Sequence, residues 1–103
     1  MTYKVFIEPS ALRDATEAAA YIRSTTSPAA AAKWLDKLEA AIADLNSHPQ
    51  RFRVIDEQKF FAIELRQFRH FSHRVIFHVN DESATVRVLR IYHGYRDALR
   101  PKD

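Results

Sequence analysis

The sequence contains no cysteine and only one glycine among its 103 residues. Without cysteine the chain forms no disulfide bonds and no thiolate metal sites, which suits a reducing compartment. No apolar run approaches the roughly 20 residues of a membrane-spanning helix. The opening segment "MTYKVFIEPS" is too short and too charged for a signal peptide. We therefore expect a cytoplasmic protein that makes no contact with the membrane.

Positive charge is concentrated in the second half of the chain. The net charge is only +3, but nine of the eleven arginines and four of the five histidines lie after residue 50. Arginine presents a planar guanidinium that pairs with phosphate or carboxylate through two hydrogen bonds. The pattern has two interpretations, a solvated basic face or a surface that binds nucleic acid or an acidic partner.

The first half of the chain predicts a strand followed by two helices. Alternation in "YKVFIE" indicates a first strand within residues 1–8. Ser10 is placed to cap a first helix, and Ser27 followed by Pro28 is a typical start for a second. We expect these amphipathic helices to form an antiparallel hairpin over residues 10–47.

The second half predicts a three-stranded antiparallel meander over residues 59–93. The segments "FFAIELRQF", "HRVIFHV" and "ATVRVLRIYH" alternate apolar and polar residues and are separated by turn-forming sequence. The predicted fold is therefore α+β in the order β-α-α-β-β-β. It is a single domain over residues 1–103, with the helix hairpin packed on a mainly antiparallel four-stranded sheet and a C-terminal segment at residues 94–103.

Alternation along the three later strands predicts one apolar face under the helices and one exposed polar face. The side chains expected on the exposed face are Glu64, Arg66, Arg74, His78, Arg90 and Tyr92. The single glycine, Gly94, follows the last strand, where we expect positive φ and a sharp turn. That turn would set His93 and Tyr95 at the edge of the sheet.

The predicted polar face has side chains that could cleave a phosphodiester bond. Arginines would neutralise the phosphate, while Glu64, His93 and Tyr95 could exchange protons. In the simpler alternative, Arg74 and Arg90 pair with Glu64 at the surface. We expect no cofactor and no metal, since the nearest approach to a ligand pair is His70 and His73 in a predicted loop. The residues alone therefore predict a basic face with an aromatic edge, and not catalysis.

Several segments together resemble the RelE/ParE superfamily, the toxin halves of type II toxin–antitoxin pairs. They are the opening "Y.V.I.PSA..D...A..YI", the second helix "SP.AA..W...L..AI..L..HP", the strand "HRVIFHV" and the ending "VLRIYHGYRD". The resemblance covers about residues 3–97. It implies the fold predicted above and a cognate antitoxin that wraps the toxin with an amphipathic segment.

The superfamily has two activities, and the resemblance implies different roles in each. In RelE-like members, which cut mRNA on the ribosome without metal, Arg74 and Arg90 would hold phosphate, with Glu64 as base and His93 as acid. However, Ala62 and Glu64 occupy positions where that branch usually has lysines. ParE-like members instead poison DNA gyrase, and "HGYRD" resembles the ParE-type ending.

We therefore interpret the chain as a ParE-like toxin that acts on DNA gyrase and is neutralised by a cognate antitoxin. The alternatives are a RelE-like or YoeB-like endoribonuclease acting on the ribosome and mRNA, and a non-toxic module that binds a partner. The residues expected to bind target or antitoxin are Arg66, Arg74, Arg90, Tyr92, Tyr95 and Arg96. The arginine-rich C-terminal segment, including Arg100, is expected to contribute to target contact.

Overall fold

The computed structural model describes residues 2–94. Its helices and strands are β1 Lys4–Ile7, α1 Pro9–Thr25, α2 Pro28–Ala43, β2 Arg66–His70, β3 His73–Asn80 and β4 Thr85–His93. Between α2 and β2 the chain forms three single 3-10 turns, at Asp44–Asn46, Pro49–Arg51 and Gln58–Phe60. The predicted order of elements is confirmed. No helix in the described range is long and apolar enough to span a bilayer.

The sheet has the strand order β1-β4-β3-β2, and only the β1–β4 pair is parallel. A parallel pair needs a crossover connection, whereas antiparallel neighbours can be joined by a short turn. Part of the chain between β1 and β4 is the helix hairpin, which covers one face of the sheet. The predicted architecture, two helices on a mainly antiparallel sheet, is therefore confirmed.

The two helices begin in different ways. Ser27 caps α2 as predicted, since its Oγ accepts a hydrogen bond from the backbone N of Ala30 at 3.0 Å. The prediction that Ser10 caps α1 is wrong, because α1 already begins at Pro9, whose missing N–H suits the first helical position. Ser10 Oγ instead donates to the carbonyl of Leu89 at 2.9 Å, joining α1 to β4.

The main core lies between the helices and one face of the sheet. Small residues on α1 (Ala11 and Ala15) let this helix approach the sheet closely, and α2 contributes Trp34 as predicted. The sheet contributes fully buried side chains, among them Val75 and Phe77. The apolar face predicted for β3 therefore points toward the helices.

The opposite face of the sheet carries a second, smaller core. It consists of Ile55, Leu65, Ile76 and Tyr92, with Phe61 and Leu89 packed against them. The predicted strand over "FFAIELRQF" forms only from Arg66 onward, because the preceding residues turn back across the sheet, where Ile55 N donates to the Leu65 carbonyl at 2.9 Å. The prediction of an open polar face is therefore wrong.

Candidate partner-binding groove

The two central arginines predicted on the open face are each held by a carboxylate. Arg74 Nη2 lies 2.9 Å from Glu57 Oε2, and their side chains are 14% and 17% exposed. Arg90 pairs with Asp14 of α1, and Tyr92 is only 8% exposed in the second core. Arg90 and Tyr92 also line the groove described below, whereas Arg74 does not, so the structure does not place all three on one surface.

Glu64 and Arg66 pair with each other at the start of β2. Arg66 Nη2 lies 2.8 Å from Glu64 Oε1, and Arg66 Nη1 donates to the Phe52 carbonyl at 2.6 Å. The Glu64 carbonyl accepts a hydrogen bond from His78 Nδ1 at 2.8 Å. The predicted surface pairing of Arg74 and Arg90 with Glu64 is wrong, because loop and helix carboxylates take those roles.

Glu64 and His93 lie beside different parts of β3. His93 is paired with His73, the first residue of β3, whereas Glu64 contacts His78. Residues 73 and 78 are five positions apart on an extended strand, which corresponds to about 16 Å. The structure does not bring this base and acid to one phosphodiester.

Glycine occupies position 94 for a different structural reason from the one predicted. It does not adopt positive φ, so the predicted turn conformation is wrong. Its N donates to the Ser72 carbonyl at 2.6 Å, and a Cβ would lie 2.8 Å from Arg69 Nη1. Atoms of Arg69 and Ser72 therefore leave little room for a side chain at this position.

The predicted binding residues Tyr95, Arg96 and Arg100 lie outside the described residues.

A groove of about 870 Å³ opens between the two helices, the β2–β3 turn and the end of β4. Its apolar lining includes Ala18 and Ile22 of α1, Trp34 of α2 and Ile91 of β4. His73 and His93 also line it, with their ring centroids 5.3 Å apart. Sequence reasoning missed this groove, since its walls come from segments far apart in the chain.

Two exposed aromatic residues border the groove. Tyr21 on α1 is 65% exposed, and Phe71 in the β2–β3 turn is 61% exposed. Phe71 adopts a φ of 54°, a conformation that costs a residue other than glycine about 1 kcal/mol. Exposed aromatic rings beside an apolar floor are typical of protein-binding sites.

The two helical walls of the groove carry opposite charges. Glu17 lies on the α1 side together with the Asp14–Arg90 ion pair, and Lys33 and Lys37 lie on the α2 side. Lys37 Nζ is 5.8 Å from the centroid of the Phe71 ring. A ligand in this groove would therefore meet an apolar floor between an acidic wall and a basic wall.

His70 and His73 do not lie in a loop as predicted, because they form the last pair of the β2–β3 ladder. Both rings contact Trp34, with centroid distances of 5.2 and 5.3 Å. His70 is buried, and its Nε2 donates to the Trp34 carbonyl at 3.1 Å. Burial lowers the pKa of His70, the hydrogen bond to the Trp34 carbonyl raises this pKa, and the charge of Lys37 lowers it further.

Within residues 2–94, no three His, Cys, Asp or Glu side chains could together hold a metal ion.

Asp14 connects α1 to the last strand. Its Oδ2 accepts hydrogen bonds from Arg90 Nε and from the backbone N of Ile91, both at 2.8 Å, and its Oδ1 accepts from Arg90 Nη2 at 3.1 Å. The guanidinium also lies 4.4 Å from the centroid of the Tyr92 ring. Asp14 lies in the N-terminal segment that resembles the superfamily, and no role was predicted for it. The available signal was a carboxylate directly before the buried Ala15 of α1.

The fold is similar to that of known toxin–antitoxin proteins. A chain of the chromosomal ParDE system from P. aeruginosa matches with a TM-score of 0.72 and 13% identity over 89% of this chain and 96% of that one. A chain of the RelBE2 toxin–antitoxin complex from Mycobacterium tuberculosis matches with a TM-score of 0.60 and 23% identity, over 90% of this chain and 99% of that one. A chain of the archaeal RelE–RelB complex from Pyrococcus horikoshii matches with a TM-score of 0.57 and 21% identity, over 94% of this chain and 100% of that one. These likenesses establish the fold of this class of toxins.

The family of the chain follows from its sequence. The family described as "ParE toxin of type II toxin-antitoxin system, parDE" matches residues 5–98, so the chain belongs to the ParE toxin family. No curated protein matches the sequence significantly. The resemblance to the RelE/ParE superfamily is thereby confirmed.

We expect Asp14→Ala to lower the free energy of unfolding by about 2 kcal/mol, between the values for exposed and buried ion pairs. The reason is that Asp14 and Arg90 are only 13% and 24% exposed and the variant also removes the acceptor for Ile91 N. Urea denaturation measures the change. Asp56→Ala is the matched control, because its pair with Arg53 is exposed, and it should cost less than about 0.5 kcal/mol. Equal losses in both variants would contradict the anchoring role of Asp14.

We expect His70 to make the fold less stable in acid. Because the folded-state pKa is lowered, the unfolded chain binds the proton more readily below about pH 6.5, and the free energy of unfolding falls as the pH drops toward the folded pKa. His70→Gln, which keeps a donor for the Trp34 carbonyl, should flatten this dependence. Urea titrations at several pH values measure it. The exposed His48→Gln should keep the wild-type slope, and an unchanged slope in His70→Gln would refute the assignment.

Proposed function

We propose that this chain is the growth-inhibiting toxin of a type II pair, that it works in the cytoplasm, and that its target is DNA gyrase. Membership of the ParE family supports the toxin class. The choice of gyrase over mRNA rests on the positions of Glu64 beside His78 and of His93 beside His73, two residues about 16 Å apart along β3. An acid and a base must both lie within hydrogen-bond reach of the reacting atoms. The ParE-like ending "HGYRD" points the same way.

The ion pairs of Arg74 and Arg90 also favour inhibition through protein contact over RNA cleavage. Each guanidinium already forms an ion pair with a carboxylate. A phosphate would have to displace Glu57 or Asp14 before either arginine could neutralise it in a transition state. No such exchange is needed if the protein acts by docking on its target.

We further propose that the cognate antitoxin binds in the groove rather than on the sheet face suggested by the sequence. Ile76 of that face is buried beneath the loop that carries Ile55 and Leu65, whereas Tyr92 of the same face also lines the groove. The groove offers apolar area with Tyr21 and Phe71 exposed at its border. An amphipathic segment fits this chemistry, with acidic residues toward α2 and basic residues toward α1.

We expect the purified chain to inhibit DNA supercoiling by gyrase or to trap cleaved DNA at micromolar excess. The measurement is a plasmid supercoiling assay, with relaxation by topoisomerase I as the control for general interference. Adding the antitoxin encoded by the adjacent gene should restore supercoiling. If supercoiling is unaffected and mRNA is cut on translating ribosomes, with the cutting lost in His93→Ala, the target assignment is wrong and the nuclease alternative replaces it.

We expect charge reversal on the α2 wall, Lys33→Glu together with Lys37→Glu, to weaken antitoxin binding by about tenfold, since two charge contacts become repulsive. Isothermal titration calorimetry with the purified antitoxin measures the change. The control is Lys59→Glu, because Lys59 is exposed at the 3-10 turn Gln58–Phe60 and does not line the groove. Equal affinity in the double variant and the control would place the antitoxin elsewhere.

A further inference from the structure

The two outer edges of the sheet are covered to different extents. Along β2, the backbone N of Gln67 donates to the Arg53 carbonyl at 3.1 Å, and Val54 bridges Arg66. Before β1, Thr2 bridges Ser47, and Tyr3 N donates to the Asn46 carbonyl at 2.9 Å. Among the described residues, no strand or bridge lies on the outer side of β1 itself, which forms the open edge.

The backbone groups of Val5 and Ile7 point out from this edge. In the parallel ladder, the N–H groups of Lys4 and Glu8 bond β4, donating to the carbonyls of Ala84 and Val88 at 2.9 Å. Alternate residues of a strand direct their backbone groups to opposite sides. Among residues 2–94, neither Val5 nor Ile7 has a hydrogen-bond partner on the outer side of β1. An unpaired edge of this kind is a template for another strand.

The side chains at this edge are apolar in the middle and oppositely charged at the two ends. Phe6 and Ile7 are 41% and 42% exposed, and Arg87 lies 4.8 Å from the centroid of the Phe6 ring. Lys4 and Glu8 lie two residues before and after Phe6, on the same face of the strand. Glu8 Oε1 also lies 3.2 Å from Arg87 Nη1 in an ion pair that is partly exposed. Reversing the direction of the strand about Phe6 therefore exchanges the positive end with the negative end.

We infer that β1 is a self-association edge whose partner is β1 of a second copy of this chain. An antiparallel pair centred on Phe6 places Lys4 of each copy opposite Glu8 of the other. In the same register, Val5 of one copy and Ile7 of the other exchange both backbone hydrogen bonds. A two-fold axis requires such a self-complementary surface. The charge pattern and the outward backbone groups meet this requirement independently.

The association is reversible and separate from the antitoxin groove. Four-residue strands bury less area than stable dimers do, so we expect a dissociation constant on the order of 100 μM. No residue of β1 lines the groove, which lies at the far end of β4. The inference therefore does not depend on the proposed function.

Sedimentation equilibrium of the purified chain up to about 500 μM tests the inference, a range chosen for a weak interface. We expect a monomer–dimer equilibrium. Lys4→Glu alone or Glu8→Lys alone should raise the dissociation constant about tenfold, because symmetry creates two like-charge contacts. The double variant should return toward the wild-type value, a rescue that a purely structural defect would not show. Lys59→Glu matches the charge change of Lys4→Glu and should leave association unchanged.

Val5→Pro gives a second, independent test. The N–H of Val5 points away from β4, so proline is tolerated in the edge strand but removes a donor to the second copy. We expect this variant to keep its circular dichroism spectrum and to remain monomeric. A wild-type chain that stays monomeric, single charge variants that associate normally, or a dimer that persists in Val5→Pro would each overturn the inference.

Discussion

The carboxylate of Asp14 completes the last strand where the sheet lacks a neighbour. β1 ends at Ile7, opposite Val88, so β4 continues beyond it without a strand on that side. Asp14 Oδ2 accepts the hydrogen bond of Ile91 N, which a neighbouring strand would accept if it extended this far. The same carboxylate also pairs with Arg90. This contact sets the position of α1 on the sheet, and with it one wall of the groove.

Burial on both faces of the sheet explains why the groove lies at its end. The helices cover one face, and the loop that carries Ile55 and Leu65 covers the other. The arginines of the central strands are consequently held within the protein by Glu57 and Asp14. The groove of about 870 Å³ is formed where helices, turn and strand end converge, and Tyr21 and Phe71 are exposed there. A basic composition therefore does not by itself produce a basic binding face.

The parts of the fold that could be predicted were those with short-range signals. The cap at Ser27 and the apolar stripe with Trp34 are local and were found, as was the alternation along β3. The start of β2 was misjudged because the alternating residues before Arg66 cover the sheet without extending it. Gly94 was misread because its neighbour Arg69 comes from another strand. The groove escaped prediction for a similar reason, since helix, turn and strand residues meet only in the folded chain.

The amino-acid sequence alone determined the order of elements, the apolar sides of the helices and the family to which the chain belongs. These properties depend on spacing along the chain, which backbone geometry converts directly into faces and turns. Tertiary structure decided which charged groups remain available, because ion pairing depends on distances between residues such as Arg90 and Asp14 that are remote in sequence. The same long-range packing formed the groove and left the β1 edge open while it covered both flat sides of the sheet.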